Sequence, residues 1–261
     1  MKKMKGIDCA IPVKADTAKA LAAAGMKFVC RYLVPERLAW KRLTRSEAEA
    51  ISAVGMKVVS VFETTASRPA GGAAAGKVDG VEAYKEAKLI KQPPGTVIYF
   101  AVDYDAQPKD YDNIESYLRA AAAEVHGYKV GVYGSYAVIE AMYKRKACTH
   151  FWQTYAWSRG KQSAYANIYQ YKNDTRLAGI NLTLDLNESF GNEGWWDTKS
   201  TEVPKPSQPE EVKPKMKQED AEKIIRFLSA AWYATDSQEA KAEYNRLADE
   251  VRKAAGIIKV G

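Results

Sequence analysis

The sequence is short of cysteine and histidine. Its three cysteines, Cys9, Cys30 and Cys148, are odd in number and far apart, which excludes a disulfide framework and a cysteine zinc site. Unpaired cysteines favour synthesis in a reducing cytoplasm. The two histidines, His126 and His150, lack metal-ligand spacing, so we expect surface or loop positions for both and predict no metal site.

Long apolar and long basic runs are also missing. No apolar run approaches the roughly 18 residues of a membrane helix, so we expect no stable membrane insertion. The basic start, Met1 to Gly6, has no apolar core behind it and predicts no secretory signal. The net charge is +7 without any run of five or six basic residues, which argues against nucleic acid and favours an anionic polymer as the partner.

Strand-like and helix-like segments alternate through the first half of the chain. The five strand-like segments are 6–10, 27–33, 57–63, 97–105 and 129–134. Three further strand-like runs, 151–156, 166–171 and 180–187, follow at spacings too short for full crossover helices. The pattern predicts an α/β fold: a TIM-like barrel of five βα units followed by three strands with little helix.

Two carboxylates end the fourth strand-like segment. Asp103 and Asp105 are two positions apart, so on a strand their side chains point the same way. Buried acids are costly unless water, a partner or a substrate meets them. The alternative is a pair of aspartates that opens a loop and caps the next helix.

Acids recur where other predicted strands end. In a parallel barrel these ends form one rim that carries chemistry, and barrel closure makes Asp8 and Asp185 neighbours. Converging acids with tyrosine, tryptophan and glutamine between them indicate a carbohydrate site, because glycosidic cleavage needs one protonated and one ionised carboxyl group. The candidate catalytic residues are Asp8, Glu63, Asp103, Asp105 and Asp185. The candidate substrate-binding residues are Tyr32, Tyr133, Gln153, Tyr155, Gln170 and Asn187, with a core hydrogen bond as the alternative for Gln153, Tyr155 and Gln170.

Residues 5–197 resemble the glycoside hydrolase family 25 lysozymes and, more closely, a related bacterial and phage glycoside-hydrolase-like barrel domain. The matching motifs are Gly6-Ile7-Asp8, Phe100-Ala101-Val102-Asp103-Tyr104-Asp105, Ile168-Tyr169-Gln170-Tyr171 and Leu184-Asp185-Leu186-Asn187. The resemblance implies catalytic acids at Asp8, Asp103, Asp105 and Asp185. It also implies a cofactor-free muramidase of the phage endolysin type, acting on peptidoglycan. Such a protein is made in the host cytoplasm without a signal peptide and reaches the cell wall after release.

One residue departs from the family pattern. The second acid of the fourth strand, the family's general acid, is Glu, whereas this chain has Asp105, whose reach is roughly 1.5 Å shorter. Three alternatives remain: a cleft shaped for Asp, Glu63 as the proton donor, or a barrel that binds glycan without cutting it. We favour Asp105 with Glu63 as its close partner.

Two other motifs have ordinary explanations. Gly71-x4-Gly76-Lys77 lacks the Ser or Thr of a phosphate-binding loop, so we expect a flexible Gly/Ala loop over the rim. Trp195-Trp196 either stacks on sugar or packs the end of the barrel.

The remaining chain predicts a separate appendage. We expect the barrel over residues 1–198, a proline-rich linker over 199–215 and a helical hairpin over 216–261. The hairpin comprises a helix over 218–234 and a second helix capped by Asp236-x-x-Glu239. So small a hairpin buries little core, so we expect it to self-associate, to dock on the barrel or to bind a ligand. It resembles the small C-terminal modules of phage lysins from bacilli, which implies cell-wall binding, with a dimerisation hairpin as the alternative.

Overall fold

The computed structural model describes residues 3–199, 217–255 and 257. The chain divides into two compact units, Met1–Val203 and Pro204–Gly261. The predicted linker over 199–215 lies outside the described residues except at its first position. Among the described residues, no helix combines the length and the apolar character needed to cross a bilayer.

The first unit is a closed barrel of eight strands that pair in chain order. Strands β1 to β7 are parallel, and β8 runs antiparallel to both neighbours, β7 and β1. The strands are β1 Met4–Asp8, β2 Phe28–Tyr32, β3 Lys57–Phe62, β4 Val97–Ala101, β5 Lys129–Gly134, β6 His150–Thr154, β7 Ile168–Thr175 and β8 Leu184–Ser189. The predicted barrel is confirmed.

Each of the first five strands is followed by a helix, as predicted. These helices are α1 Ala15–Ala23, α2 Arg45–Ala53, α3 Gly72–Leu89, α4 Tyr111–Glu124 and α5 Tyr136–Lys144. Short 3-10 turns lie at Glu36–Leu38, Arg68–Gly71 and Pro108–Asp110. The second unit contains α6 Gln218–Tyr233 and α7 Gln238–Ala255, the predicted helical hairpin.

The apolar core has two layers, because successive side chains on a strand alternate between the faces of the barrel wall. One cluster fills the barrel, with Val97, Tyr99 and Ala101 of β4 among its members, while Ile98 and Phe100 belong to the cluster packed with the helices. Tyr99 fits inside only because a glycine faces it. A Cβ atom on Gly131 would lie 2.5 Å from the Tyr99 ring.

The Gly/Ala-rich segment is not a flexible loop, and that expectation is wrong. Gly72–Leu89 is a single helix, α3, and its glycines serve helix packing. A Cβ atom on Gly76 would collide with the backbone oxygen of Tyr117 on α4, and one on Gly80 would lie 2.8 Å from the backbone oxygen of Ala121. The two glycines therefore bring α3 and α4 into backbone contact.

The structure decides three local expectations. His150 is on β6 and 2% exposed, so the predicted surface or loop position is wrong for it; burial lowers its pKa to about 4. Trp196 packs the end of the barrel, since its indole nitrogen donates to Ser60 Oγ at 3.0 Å. The cap of α7 is Ser237 rather than Asp236, because Ser237 Oγ accepts from the backbone nitrogen of Ala240 at 3.2 Å.

Candidate functional site

An acidic pocket of about 140 Å³ opens at the rim formed by the carboxyl ends of the parallel strands. Because β8 is antiparallel, it contributes residues to this rim from its amino end, and Asp185 pairs directly with Asp8 across β1 and β8. Four carboxylates line the pocket, together with three aromatic and two amide side chains: Asp8, Glu63, Asp103, Asp185, Tyr32, Tyr133, Trp152, Gln170 and Asn173.

Asp8 lies at the centre of a hydrogen-bond chain on the pocket wall. Its Oδ2 accepts from Gln170 Nε2 at 2.9 Å and from Asn187 Nδ2 at 2.7 Å. Asn187 is held in turn by the Trp152 indole, which donates to Asn187 Oδ1 at 2.8 Å. Gln170 Nε2 also lies 3.3 Å from Asp185 Oδ2. These amides fix the carboxylate and leave Oδ1 of Asp8 as its site for a proton.

Burial raises the pKa values of the pocket carboxyl groups. Asp8 is 6% exposed, and burial, reinforced by the neighbouring charge of Asp185, raises its pKa to about 7. Burial also raises the pKa of Asp185 and that of Asp103. Like charges gathered in a poorly hydrated site cannot all ionise together, so at neutral pH the pocket holds both protonated and ionised carboxyl groups.

One buried cation, Lys41, lies against this acidic cluster. Its ammonium nitrogen is 3.8 Å from Oε1 of Glu63 and 4.4 Å from the centre of the Tyr32 ring, and its side chain is 7% exposed. Burial raises the pKa of Glu63, and the Lys41 charge opposes that rise. The same charge opposes the rise of the pKa of Asp103. Lys41 thus favours the ionised forms of Glu63 and Asp103 over that of Asp8.

A buried ion pair supports the segments that carry Asp8 and Lys41. Arg31 on β2 is fully buried and donates from Nε to Oε1 of Glu47 at 2.5 Å. Its other nitrogens donate to the backbone oxygens of Cys9, Ala10 and Lys41. Because the Glu47 carboxylate is used here, Thr44-x-x-Glu47 at the start of α2 forms only half of a capping box: Thr44 Oγ1 accepts from the Glu47 backbone nitrogen at 3.2 Å.

Asp105 lies apart from the pocket. Strand β4 ends at Ala101, so the expectation that Asp103 and Asp105 point the same way from one strand is wrong. Asp103 remains half-buried on the pocket wall, while Asp105 is exposed and absent from the lining. The catalytic role predicted for Asp105 has no support from this geometry.

Gln153 and Tyr155 also lie outside the pocket lining. On β6, Trp152 and Thr154 face the barrel interior, so Gln153 and Tyr155 are each one position away from an inward-facing residue. Gln153 is fully buried and makes the alternative core hydrogen bonds, to Lys161 O at 2.8 Å and from Ser163 N at 2.7 Å. Tyr155 is 41% exposed.

Sequence reasoning missed two side chains of the pocket lining, Trp152 and Asn173, and the neighbouring cation Lys41. Trp152 is on the inward-facing side of β6, but all five residues of that strand are buried, so its burial pattern does not show which side faces the barrel interior. Lys41 and Asn173 lie where strand periodicity gives no direction, in the β2–α2 connection and at the irregular β7–β8 ladder. No pattern in the sequence indicates that these two face the acids.

The barrel and its acidic, aromatic pocket define a glycoside hydrolase-like domain. The chain belongs to the Rv2525c-like, glycoside hydrolase-like domain family, which matches residues 19–189. It is also 35% identical over 145 residues to the uncharacterized protein FadG of Bacillus subtilis strain 168. That match covers 49% of this chain and only 24% of FadG, so the chain spans about a quarter of its curated relative.

Two solved structures illustrate the similarity of fold. The Mycobacterium tuberculosis Tat-secreted protein Rv2525c, in complex with L-tartrate, matches with a TM-score of 0.65 and 25% identity over 74% of this chain and 98% of that chain. The glycosyl hydrolase 25 GHIP of Streptococcus pneumoniae, a virulence factor participating in host cell invasion, matches with a TM-score of 0.52 and 15% identity. It covers 73% of this chain and 89% of that chain, and shares the fold alone.

The expected localisation is contradicted by one of these relatives. We expected a protein made without a signal peptide and released from the host cytoplasm, whereas Rv2525c is Tat-secreted. That expectation rested on the first six residues, on three unpaired cysteines and on the resemblance to phage endolysins, and none of these defines an export route. The cysteines are indeed unpaired, with Cys9 and Cys30 buried and Cys148 partly buried.

Proposed function

We propose that this protein is a glycosidase that hydrolyses the glycan backbone of peptidoglycan. The observation that carries the proposal is the convergence of Asp8, Glu63, Asp103 and Asp185 on one pocket at the barrel rim. Glycosidic cleavage requires a carboxylic acid that protonates the leaving oxygen and a carboxylate that stabilises or traps the cationic centre, or activates water. The pocket supplies both forms near neutral pH.

Asp8 is the proton donor in this proposal. Its pKa of about 7 keeps a large fraction protonated at neutral pH, which suits a general acid. Because Oδ2 is occupied by two amide donors, the acidic proton resides on Oδ1. By binding Oδ2, Gln170 and Asn187 fix the orientation of the carboxyl group and so the position of the proton on Oδ1.

Asp103 and Glu63 supply the negative charge. Lys41 favours the ionised form of both, so they complement an oxocarbenium-like transition state while Asp8 retains its proton. Tyr32, Tyr133 and Trp152 line the pocket, and the rings of Tyr32 and Tyr133 are partly exposed, so these two can contact a sugar ring. Asp185, paired with Asp8, acts by raising the pKa of the donor.

The substrate assignment is supported by the resemblance to family 25 lysozymes and by the glycoside hydrolase-like family of the chain. We take the bond between muramic acid and glucosamine as the target. The endolysin role and the wall-binding or oligomerising role of the α6–α7 hairpin remain predictions from the sequence. Assays of which bacteria the full chain lyses test the endolysin role. Co-sedimentation with cell walls and sedimentation velocity, each with and without residues 216–261, test the role of the hairpin.

Digestion of purified Gram-positive peptidoglycan, followed by mass spectrometry, tests the activity. We expect wild type to release new reducing muropeptides, and Asp8→Asn, Asp103→Asn or Glu63→Gln to slow release by about 10²- to 10⁴-fold. Asp105→Asn is the matched control and retains wild-type release. Equal rates for wild type and Asp8→Asn would remove Asp8 from the donor role. Loss of release in Asp105→Asn alone would restore the family assignment.

One observation favours a second candidate, a glycan-binding barrel without catalysis. Asp105 occupies the position of the general acid in the family 25 lysozymes that the sequence resembles, and it is exposed and outside the pocket in this chain. The same digestion distinguishes the two candidates. Wall binding that depends on Asp103 and Tyr133, with no fragment released at any pH between 4 and 9, supports the binding protein.

A further inference from the structure

The loop that joins β6 to β7, residues 155–167, exposes three large aromatic side chains, of which Tyr155 and Trp157 are close together in sequence. Tyr155 and Trp157 are each 41% exposed. We call residues 155–167 the rim loop, since it leaves β6 at the strand end that faces the pocket opening. Its exposed rings are not used by the pocket itself.

The backbone of the rim loop is strained at two positions. Trp157 has a φ of 54° and Arg159 a φ of 50°, both in the left-handed region that side chains other than those of glycine, asparagine and aspartate rarely adopt. Such strain persists only when surrounding contacts impose it, and it concentrates at functional positions. A relaxed surface loop would place glycine or asparagine at these two sites.

Buried polar groups hold the rim loop in this conformation. Gln153 binds it at two points, Lys161 O and Ser163 N. Ser158 is 2% exposed, and its Oγ donates to Thr154 O at 2.5 Å and accepts from Tyr136 N at 2.9 Å. The exposed aromatic rings therefore project from a rigid base rather than from a mobile loop.

The rim loop is continuous with the pocket through Gln170. The backbone nitrogen of Tyr155 donates to Gln170 O at 2.8 Å, and Thr154 Oγ1 donates to Gln170 Oε1 at 2.7 Å. The Nε2 atom of Gln170 binds Asp8 in the pocket. The strand end that presents Tyr155 is thus fixed to a side chain that lines the site.

We propose that Tyr155 and Trp157 form a stacking surface for a glycan strand, extending sugar binding from the pocket over the rim loop. The inference rests on the proposed function in taking a sugar polymer as the ligand. Aromatic faces offer apolar contact to sugar rings while their polar tips remain hydrated. Rings held rigid before binding lose little conformational entropy on binding, which explains why a strained, tightly bonded loop presents them.

Titration of the full chain with a neutral tetramer of β-1,4-linked N-acetylglucosamine tests the surface. The chain has six tryptophans, and the indole NMR signal missing from Trp157→Asn identifies Trp157. Asparagine tolerates the left-handed conformation, so this variant removes the ring and keeps the loop shape. Arg159→Asn makes the same replacement at the same φ and is the control. Trp157→Phe restores a stacking ring.

We expect the tetramer to shift the Trp157 indole signal and to bind Trp157→Asn about five- to tenfold more weakly than wild type. Arg159→Asn and Trp157→Phe should bind within twofold of wild type. The inference is overturned by unchanged affinity in Trp157→Asn or by no binding to wild type at millimolar tetramer. An indole shift that follows protein rather than tetramer concentration overturns it too, since it indicates a second copy of the chain.

Peptidoglycan digestion by the same variants separates this inference from the proposed function. If wild type releases no fragment while Trp157→Asn still binds the tetramer more weakly, the proposed function fails and the stacking surface stands. If fragments are released and Trp157→Asn binds the tetramer as wild type does, the stacking surface fails and the function stands.

Discussion

Arg31 and Glu47 form a buried ion pair in which Nε of Arg31 lies 2.5 Å from Oε1 of Glu47, with side-chain exposures of 0% and 4%. Removing one partner of such a pair leaves an uncompensated charge. We expect Glu47→Gln to lower the free energy of unfolding by about 3–5 kcal/mol in denaturant titrations. Glu49 forms an exposed pair with Arg45 on the same helix, and Glu49→Gln should cost about 0.5 kcal/mol or less. Equal losses for the two variants would contradict a buried charge at Glu47.

The raised pKa of Asp8 makes stability depend on pH. Its folded-state pKa of about 7 exceeds the roughly 3.9 of an unfolded aspartate, so its stabilising contribution is complete below about pH 4 and is lost as the pH rises through 7. Between pH 5 and pH 8 we expect wild type to lose on the order of 2–3 kcal/mol more than Asp8→Asn, whose side chain stays neutral. Asp105→Asn, an equal change of charge at an exposed position, should keep the wild-type difference.

Lys41 should control the ionisation of Glu63. Burial raises the pKa of Glu63 and Lys41 opposes that rise, so replacing Lys41 with Met should raise the pKa of Glu63 further above its usual range. A ¹³C NMR titration of labelled glutamate carboxyls measures this directly, with Glu63→Gln assigning the signal. Lys41→Arg keeps the charge and should keep the titration near that of wild type. An unchanged Glu63 titration in Lys41→Met would show that the two groups do not interact.

Gly76 offers a test in which packing opposes helix propensity. Alanine in place of glycine within a helix ordinarily stabilises by about 1 kcal/mol. Here the added Cβ atom meets the Tyr117 backbone oxygen, so we expect Gly76→Ala to destabilise by about 1–3 kcal/mol in thermal or denaturant unfolding. Lys77→Ala, at the next and exposed position of the same helix, should change stability by about 0.5 kcal/mol or less. A gain in stability for Gly76→Ala would mean that α3 and α4 can separate at little cost.

The barrel could be predicted because its strongest signals are periodic. Strand–helix alternation repeats five times, and the apolar runs such as Val97–Ala101 are buried on both faces. That β1 and β8 are neighbours follows from closure of the barrel, whereas the pairing of Asp8 with Asp185 also requires an antiparallel β8 with Asp185 near its amino end. The reversed direction of β8 has no signature in its residues, and it places Asp185 at the rim because that residue lies near the amino end of the strand.

The side-chain directions were less predictable where periodicity stops or is ambiguous. The strand ends at Ala101 and the chain then turns. The alternation of side chains along the strand therefore predicts the direction of Asp103 correctly but not that of Asp105. On β6 both faces are buried, and the sequence offers no polar residue that marks the barrel interior. The prediction therefore chose Gln153 as a pocket residue, whereas its neighbour Trp152 lines the pocket. Lys41 is in the β2–α2 connection. Its position near Glu63 depends on Arg31 of β2, which donates to the Lys41 backbone oxygen.

The hydrogen-bond chain from Trp152 through Asn187 to Asp8 also couples an indole to a titrating carboxyl group. A gain or loss of the proton on Asp8 changes how strongly Asn187 is polarised, and hence how strongly its oxygen draws the indole hydrogen. We therefore expect the indole NMR resonance of Trp152 to report the charge state of the pocket without any added label.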